Sequence, residues 1–352
     1  MDPGTSRREG RKRGPIWARL CLILGLVLAT AASVTLVGIE MLVSRYTDQI
    51  ATGNLLGDAR KENAGRATLQ GPLNILLLGT DYRNDPKLRG TLWRADTIMV
   101  LHVPRGHDRA YLLSFSRDTW VEIPPAPTGD WEGGEDKINA AFVHGGNGVG
   151  GYQLLAATLS DLMDVEFDSG AVINFYGFVR VVEVLGGVEL CIETPPGTTS
   201  FTSIHPPYRT FEEGCRHYNG HEALDYVRQR KQFPDGDNAR MRHQQQFLRA
   251  LLERAREQGV HTDLGKLDRV IRAAGDALML DESIPVADLA FTLRGIHPKD
   301  LVAIRVPAEG HMGPQGWYAE LVDPADSLFR AVRRDTVAEW VKEHPEYVNP
   351  LT

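Results

Sequence analysis

One stretch near the N-terminus constrains this chain more than any other. Residues 20–39, LCLILGLVLATAASVTLVGI, carry no charged side chain. At about 1.5 Å rise per residue, twenty helical residues span the roughly 30 Å hydrocarbon core of a bilayer. The charged residues that precede this stretch are mostly basic, which predicts a cytoplasmic N-terminus; they are Arg7, Arg8, Arg11, Lys12, Arg13 and Arg19 against Asp2 and Glu9. We therefore predict a basic tail at 1–19, a transmembrane helix at 20–43 and an extracytoplasmic location for the rest.

An alternative for this stretch is a cleaved signal peptide with its cleavage site at 29–31, Ala-Thr-Ala. The apolar run continues well past that position, which favours an uncleaved anchor. Apart from Cys21 in the anchor, the chain has one pair of cysteines, Cys191 and Cys215. An oxidising compartment would allow this pair to form a disulfide, and two buried free thiols are the alternative.

The chain after the anchor has the composition of an ordinary globular protein. Over all 352 residues, 42% are hydrophobic, 24% are charged and the net charge is -7. An acidic chain needs a local cluster of basic side chains to bind a polyanion, so we expect no nucleic-acid partner. We interpret residues 44–72 as a polar stalk, 73–258 as the main domain and 259–352 as a helical extension that packs on it.

Apolar runs bounded by turn residues predict strands at 73–78, 97–103, 110–115, 171–175 and 188–192, with one more near 301–306. Apolar residues at helical spacing predict helices at 152–163, 177–185, 220–228, 238–256, 266–279, 285–294 and 325–342. Strands that alternate with helices indicate a layered α/β domain. Residues 195–217 are rich in proline, threonine and glycine, and we predict a surface loop there.

Arginine and aspartate occur together at four predicted element ends, LGTD (78–81), RADT (94–97), SRDT (116–119) and the segment 228–240. In an α/β sheet, converging strand ends form the usual ligand crevice. Guanidinium groups bind phosphate oxygens through two hydrogen bonds and keep their charge. Carboxylates among them favour a hard divalent cation, and we expect magnesium.

The segment 228–242 holds five cations against Asp235 and Asp237. Asp237 is placed to cap a helix that starts near Asn238, and Arg240 and Gln244 share one helix face because they are four residues apart. A salt-bridged helix start is the simpler alternative for this segment.

Simpler roles are also open for the residues of the other segments. Asp81 could form only a turn, and Arg94 with Asp96 only a surface ion pair. For Lys137 and Asn139 we favour a helix cap over a ligand role.

Other catalytic classes lack their motifs. The glycine-rich segment 146–151 satisfies GxGxxG, but no strand leads into it. The chain has no Walker A sequence, which argues against an ATP-driven reaction, and Ser114 and Ser116 lie outside any GxSxG turn.

In order along the chain, six segments resemble those of the LytR-CpsA-Psr family: NILLLGTD (74–81), RADTIMV (94–100), SRDTWVEIP (116–124), KINAAF (137–142), LGGVEL (185–190) and NGHEALDYVRQRKQFPDGDNARMRHQQQ (219–246). The resemblance implies an α-β-α domain with a central mixed sheet and an apolar groove for a polyprenyl chain. It also implies that the groove ends at an arginine-lined pyrophosphate site with Mg²⁺ or Mn²⁺.

The same resemblance assigns roles to single residues. Asp81 and Asp96 would be the metal ligands, and Arg117, Asp118, Asp96 and Asp237 the catalytic set. The pyrophosphate would be bound by Arg94, Arg117, Arg228, Arg230 and Arg240, with Gln244 in support. The implied reaction is attack by a peptidoglycan hydroxyl on a polyprenyl diphosphate-linked glycopolymer at the bilayer surface, with a general base among Asp96, Asp118 and Asp237.

Two departures from the family pattern bear on the acceptor side of the site. Ser116 stands where the family usually has proline, and the stretch between Asp81 and Arg94 is longer than is common. Two alternative functions stay open at this point. One is a pyrophosphatase that hydrolyses the lipid carrier, and the other is a non-catalytic regulator of the cell envelope.

Overall fold

The computed structural model describes residues 51–60, 69, 71–81, 94–127, 130–260, 262–314 and 316–351. These residues belong to a unit that spans Gln49–Thr352. The predicted tail at 1–19, the membrane helix at 20–43 and the stretch 82–93 lie outside the described residues. Within the described ranges, every helix is too short or too polar to cross a membrane.

Sixteen strands lie in the described residues. In chain order they are β1 (Ala51–Gly53), β2 (Leu73–Thr80), β3 (Ala95–Val103), β4 (Ala110–Phe115), β5 (Trp120–Ile123), β6 (Gly134–Lys137), β7 (Ser169–Asn174), β8 (Val188–Ile192), β9 (Ser200–Thr202), β10 (Thr210–Glu212), β11 (Gly214–Tyr218), β12 (Leu278–Asp281), β13 (Leu301–Arg305), β14 (Ala308–Gly313), β15 (Gly316–Leu321) and β16 (Val348–Asn349). The strands predicted at 110–115 and 188–192 have the predicted bounds.

Nine α-helices lie in the same ranges. They are α1 (Ala140–His144), α2 (Gly148–Met163), α3 (Phe175–Val184), α4 (Gly220–Val227), α5 (Asp237–Glu257), α6 (Leu264–Ala274), α7 (Val286–Leu293), α8 (Ala325–Arg334) and α9 (Val337–Glu343). Side chains cap two of the helices that border the site. Asn174 accepts hydrogen bonds from the first turn of α3, and Asn219 and Glu222 form a capping box on α4.

Eight strands form one central sheet in the order β1-β12-β7-β2-β3-β4-β13-β16. β7 runs parallel to β2, whereas β2 and β3 are antiparallel, so the sheet is mixed, as the resemblance implies. Leu76 and Leu78 of β2 pack in a core that includes residues of α2, α8 and α9. Successive strand residues point to opposite faces. Leu77 accordingly faces the other side of the sheet and lines a cavity bordered by α3, α4 and α5.

The glycine-rich segment has a packing role at some positions, whereas Gly146 and Gly148 have positive φ angles of 81° and 54°. A Cβ atom on Gly151 would lie 2.3 Å from the Phe142 carbonyl oxygen, and one on Gly145 would lie 2.4 Å from that of Gly150. Only glycine therefore allows α1 and α2 to approach this closely. The helix begins at Gly148, four residues before the predicted start.

Several predictions on the second half of the chain need correction. The predicted loop 195–217 contains β9 and β10 and most of β11. Residues 259–352, which we interpreted as a helical extension, supply β12, β13 and β16 to the central sheet. Of these strands only β13 matches a prediction, the strand near 301–306. The predicted helix 266–279 gives way to β12 at its end, and 325–342 forms two helices separated at Asp335, which has a φ of 57°.

Candidate active site

A cavity of about 580 Å³ lies between the sheet and helices α3, α4 and α5. Its size is within the range of small-molecule sites. Most of its lining is aliphatic or aromatic, and this part consists of Leu77, Leu78, Met99, Ala171, Ile173, Phe175, Phe178, Val181, Ile204, Leu224, Val227, Phe247, Leu248, Leu251 and Leu278. Such a lining suits a hydrocarbon chain, because burial of apolar surface is favourable and no hydrogen bond has to be satisfied.

The cavity changes from polar to apolar along one face of α5. Arg240, Gln244, Leu248 and Leu251 all line it, at spacings of three or four residues that keep side chains on one side of a helix. Eleven residues at about 1.5 Å each cover roughly 16 Å. A ligand along this face would therefore meet a cation first and hydrocarbon further on. The predicted shared face of Arg240 and Gln244 is confirmed.

The polar end of the cavity collects side chains from distant parts of the sequence. Asp96 and Thr97 come from β3, and Arg117 follows β4. Arg228, Arg230 and Lys231 precede α5, and Arg240 lies in its first turns. Six cations lie in or beside this end, namely Arg117, Lys137, Arg228, Arg230, Lys231 and Arg240. Three carboxylates, Asp96, Asp118 and Asp237, lie among them. The excess of positive charge suits an anionic group.

Arg117 occupies the centre of this cluster. Its guanidinium donates to Asp96, and its Nε atom lies 3.8 Å from Asp118 Oδ2. Burial alone would lower the pKa of Arg117, but Asp96, Asp118 and Asp237 outweigh it and raise the pKa. Asp118 also lies 3.2 Å from Lys137 Nζ and 4.0 Å from Arg230 Nη1. One buried carboxylate thus orders three cations around the cavity mouth.

Arg240 is the deepest cation, only 6% exposed. Its Nη2 atom lies 2.6 Å from Asp237 Oδ1, and Asp237 also accepts a hydrogen bond from Ser116 Oγ at 3.2 Å. Burial lowers the pKa of Arg240, and Asp237 acts against that effect. Asp237 is in the first turn of α5, whose N-cap is Gly236, so our prediction that Asp237 caps this helix is wrong.

Two buried donors in this cluster have no hydrogen-bond acceptor among the described residues, namely the Nε atoms of Arg117 and Arg240. A buried donor without a partner costs free energy, about 1–3 kcal/mol and more for a charged group. Both arginines line the cavity, so an anion bound there can accept from these donors. This is the observation in the site that points most directly to an anionic ligand.

Arg228 and Arg230 complete the basic side of the mouth. The Arg228 guanidinium lies over the Phe175 ring, 4.7 Å from its centroid, in cation–π geometry. Arg230 Nη1 lies 3.9 Å from Asp237 Oδ1 as well as near Asp118. Phe175 also lines the cavity, so one aromatic ring both orients a cation and joins the apolar wall.

Asp81 and Arg94 lie next to this cluster at the end of the β2–β3 pair. The Arg94 amide donates to Asp81 Oδ1 at 3.0 Å, and the Arg94 side chain is exposed. Neither is among the described residues that line the cavity, whereas Asp96, Arg117, Arg228, Arg230, Arg240 and Gln244 are. The predicted site residues thus form one cavity cluster with Asp81 and Arg94 at its edge.

Asp81 and Asp96 are the predicted ligands of a metal ion. No group of three or more histidine, cysteine or acidic side chains in the described ranges could hold a metal ion. Asp81 and Asp96 both lie where β2 ends and β3 begins, close to the basic cluster. Magnesium commonly binds one or two carboxylates together with substrate phosphates and water. A pair of carboxylates beside a phosphate site therefore fits magnesium, although it could not hold a metal by itself.

Some residues of the site were undervalued or missed in the sequence. Lys137, for which we favoured a helix cap, forms an ion pair with Asp118. Ser116, which departs from the family pattern, donates to Asp237. Phe175 was missed as a site residue; it is the last residue of the strand predicted at 171–175, and it lines the cavity as the first residue of α3.

The disulfide between Cys191 and Cys215 is present and joins β8 to β11. Next to it, Arg242 of α5 donates to Glu193 Oε1 at 2.5 Å. Burial would raise the pKa of Glu193, but His243 and Arg242 hold it at about 2. These contacts attach α5 to the β8–β11 pair and so fix the helix that carries Arg240.

Comparisons with known proteins identify the family to which this chain is similar. A model of the LytR_cpsA_psr family matches residues 39–327. The chain is 32% identical to the probable cell wall biosynthesis protein LcpB of Corynebacterium glutamicum over 74% of its length, and it spans 61% of that protein. It is 30% identical to the polyisoprenyl-teichoic acid–peptidoglycan teichoic acid transferase TagU of Halalkalibacterium halodurans, over 77% of this chain and 80% of that one.

The fold is similar to a solved structure as well. The crystal structure of Bacillus subtilis TagV superposes with a TM-score of 0.60 at 23% identity, over 76% of this chain and 98% of that one.

Proposed function

Because this chain belongs to the LytR-CpsA-Psr family, we propose that it transfers a glycopolymer from a polyprenyl diphosphate carrier onto peptidoglycan and releases polyprenyl phosphate. The relative TagU is named for a reaction of this class. The observation that carries the proposal is the cavity, which is apolar along its length and ends at two buried guanidinium Nε atoms without acceptors. A lipid diphosphate has the matching order of groups.

In the proposed reaction, an acceptor hydroxyl oxygen forms a bond to the phosphorus nearest the sugar. The bond from that phosphorus to the bridging oxygen breaks, and polyprenyl phosphate leaves with the electron pair. Negative charge spreads over the phosphate oxygens in such a transfer, and prepositioned cations stabilise it. Arg117 and Arg240 are held for this task by Asp96 and Asp237.

The acceptor proton must pass to a base. Asp96, Asp118 and Asp237 remain the candidates, and their contacts differ. Asp237 contacts Ser116 and Arg240, which are both buried, whereas Asp118 contacts Lys137 and Arg230, whose side chains are 29% and 34% exposed. An acceptor that arrives from outside can approach the partly exposed cations beside Asp118, so we favour Asp118.

We also propose that Asp81 and Asp96 hold Mg²⁺ or Mn²⁺ together with the diphosphate. When bound, such an ion neutralises charge on the phosphate oxygens. We further propose that the domain lies outside the cytoplasmic membrane, anchored by residues 20–43. A disulfide in the domain supports this location, because disulfides persist in oxidising compartments.

The test uses the full-length protein in detergent with a radiolabelled polyprenyl diphosphate glycopolymer, with and without peptidoglycan and with Mg²⁺ or excess chelator. We expect label on peptidoglycan only when both peptidoglycan and metal are present. Arg117→Ala and Arg228→Ala should abolish transfer. Arg180→Ala is the matched control, because Arg180 is an exposed arginine of α3 outside the cavity lining.

Two results would contradict the proposal. Equal phosphate release with and without peptidoglycan would indicate a pyrophosphatase, and unchanged transfer by Arg117→Ala would show that the cluster is not the active site. Protease protection in intact cells tests the location, and cleavage of the domain only after the cells are opened would place it inside.

A further inference from the structure

Four strands beside the site form a ribbon that has no role in the donor binding and transfer described above. β5 and β6 are antiparallel, with Trp120 opposite Lys137, and β14 and β15 are antiparallel, with His311 opposite Tyr318. A bridge between Thr119 and Ala319 connects the two pairs. The Ala319 amide donates to the Asp118 carbonyl oxygen at 2.9 Å, so the second pair is hydrogen-bonded directly to the Arg117–Asp118 segment.

One face of this ribbon is turned away from the core. Val121 and Ile123 of β5 are buried in the main core. Side chains alternate along a strand, so Trp120 points to the opposite face. There the Trp120 and Tyr318 rings are 5.5 Å apart between centroids, and the Tyr318 and His311 rings are 5.8 Å apart. Lys137, Trp120, Tyr318 and His311 thus form a row across four strands, which we call the aromatic row.

The aromatic row begins at the cluster of charged side chains at the polar end of the cavity. Lys137 Nζ, at its inner end, lies 3.2 Å from Asp118 Oδ1. Trp120 and Tyr318 in the middle are half-buried, and His311 at the outer end is exposed and 3.7 Å from Glu320. Three strand spacings of about 4.8 Å give the row a length of roughly 14 Å. It is therefore a narrow strip that leads from the solvent to the carboxylate we favour as the base.

We propose that the aromatic row binds the acceptor glycan strand, with sugar rings stacked on Trp120 and Tyr318; as an acceptor subsite it rests on the proposed function. The C–H face of a pyranose carries partial positive charge and stacks on the electron-rich face of an aromatic ring. Hydroxyl and amide groups at the sugar edges can bond to Lys137 and His311 at the two ends. The strip would thus hold an acceptor with its reactive hydroxyl near Asp118.

The composition of the row favours a glycan over a protein partner. Protein interfaces place apolar and aromatic anchors at a central desolvated patch and deplete it of charge. In the aromatic row, the two rings of Trp120 and Tyr318 lie between Lys137 at one end and His311 at the other. Glu309 and Glu320 of the β14–β15 hairpin are also exposed nearby. A polar ligand with one flat apolar face suits this arrangement. The inner end of the row reaches Asp118, which contacts Arg117 and Arg230 of the cavity lining.

The test measures binding of a soluble glycan strand of alternating N-acetylglucosamine and N-acetylmuramic acid to the full-length protein in detergent, by calorimetry and without lipid donor. Tyr318→Ala should weaken binding by about fivefold or more, the range expected for loss of one aromatic contact. Tyr318→Phe keeps the ring and should bind as the wild type does. In the transfer assay, Tyr318→Ala should raise KM for peptidoglycan and leave KM for the lipid donor unchanged.

Trp317→Ala is the matched control, because Trp317 is an exposed aromatic residue of the same strand and points to the opposite face. It should bind the glycan normally. Wild-type affinity in Tyr318→Ala, or an equal loss in Trp317→Ala, would overturn the proposal, since the second result would indicate only that the hairpin must fold. Glycan binding with no transfer by the wild type would refute the proposed function and leave the aromatic row in place.

Discussion

The ion pair between Asp237 and Arg240 allows a quantitative test of how the buried charges of the site compensate each other. Their side chains are 4% and 8% exposed, and Nη2 lies 2.6 Å from Oδ1. Arg240→Met removes the cation and approximately keeps the apolar volume. Asp237 then retains the Ser116 hydroxyl at 3.2 Å and the Arg230 guanidinium at 3.9 Å. A buried carboxylate thus loses its nearest cation.

Removal of one partner from a buried ion pair costs about 3–5 kcal/mol, because the other charge stays buried without compensation. Since Arg230 remains near Asp237, we expect the lower end of that range, about 3 kcal/mol less free energy of unfolding. The double variant Asp237→Asn with Arg240→Met leaves no such charge. Its free energy of unfolding should lie within about 1 kcal/mol of the wild type or above it.

Urea unfolding of the full-length protein in detergent, followed by circular dichroism, measures both values. Both variants should also lose binding of the lipid diphosphate, because the buried cation is gone. Arg216→Met, which removes an exposed partner of Glu212, is the control and should leave unfolding unchanged. A single variant as stable as the wild type, or a double variant less stable than the single one, would refute this account.

Two further predictions concern the region that fixes α5. Replacement of Cys191 and Cys215 by serine should lower the free energy of unfolding by about 3 kcal/mol for a loop of this length; a urea midpoint equal to that of the oxidised wild type would contradict it. Glu193 has a pKa lowered from 4.5 to about 2, so its ionised form stabilises the fold above pH 4.5 and this contribution is lost as pH falls toward 2. Glu193→Gln should therefore be less stable than the wild type at pH 7 and approach it near pH 2, and a difference independent of pH would exclude this role.

Elements with strong local patterns were predicted well, and weakly patterned ones were not. The apolar run of β4 and the helical spacing of Arg240 with Gln244 are local signals, and both are confirmed. The first two residues of β12 were predicted as the end of a helix, because the four residues Leu278–Asp281 are too few to show an alternating pattern. It becomes a strand through pairing with β7, more than a hundred residues earlier in the chain.

The sequence by itself determined the kind of chemistry. It defined the basic segment 228–242, the Arg-Asp pairs at strand ends and the apolar stretches that build a layered domain, since these depend on residue type and short spacing. Only the tertiary structure decided which charges meet. Ser116 and Asp237, which are 121 residues apart, are in contact because β4 and α5 pack together, and Lys137 contacts Asp118 because β5 and β6 pair. Such contacts depend on strand pairing and helix packing across the whole domain, which no local pattern encodes.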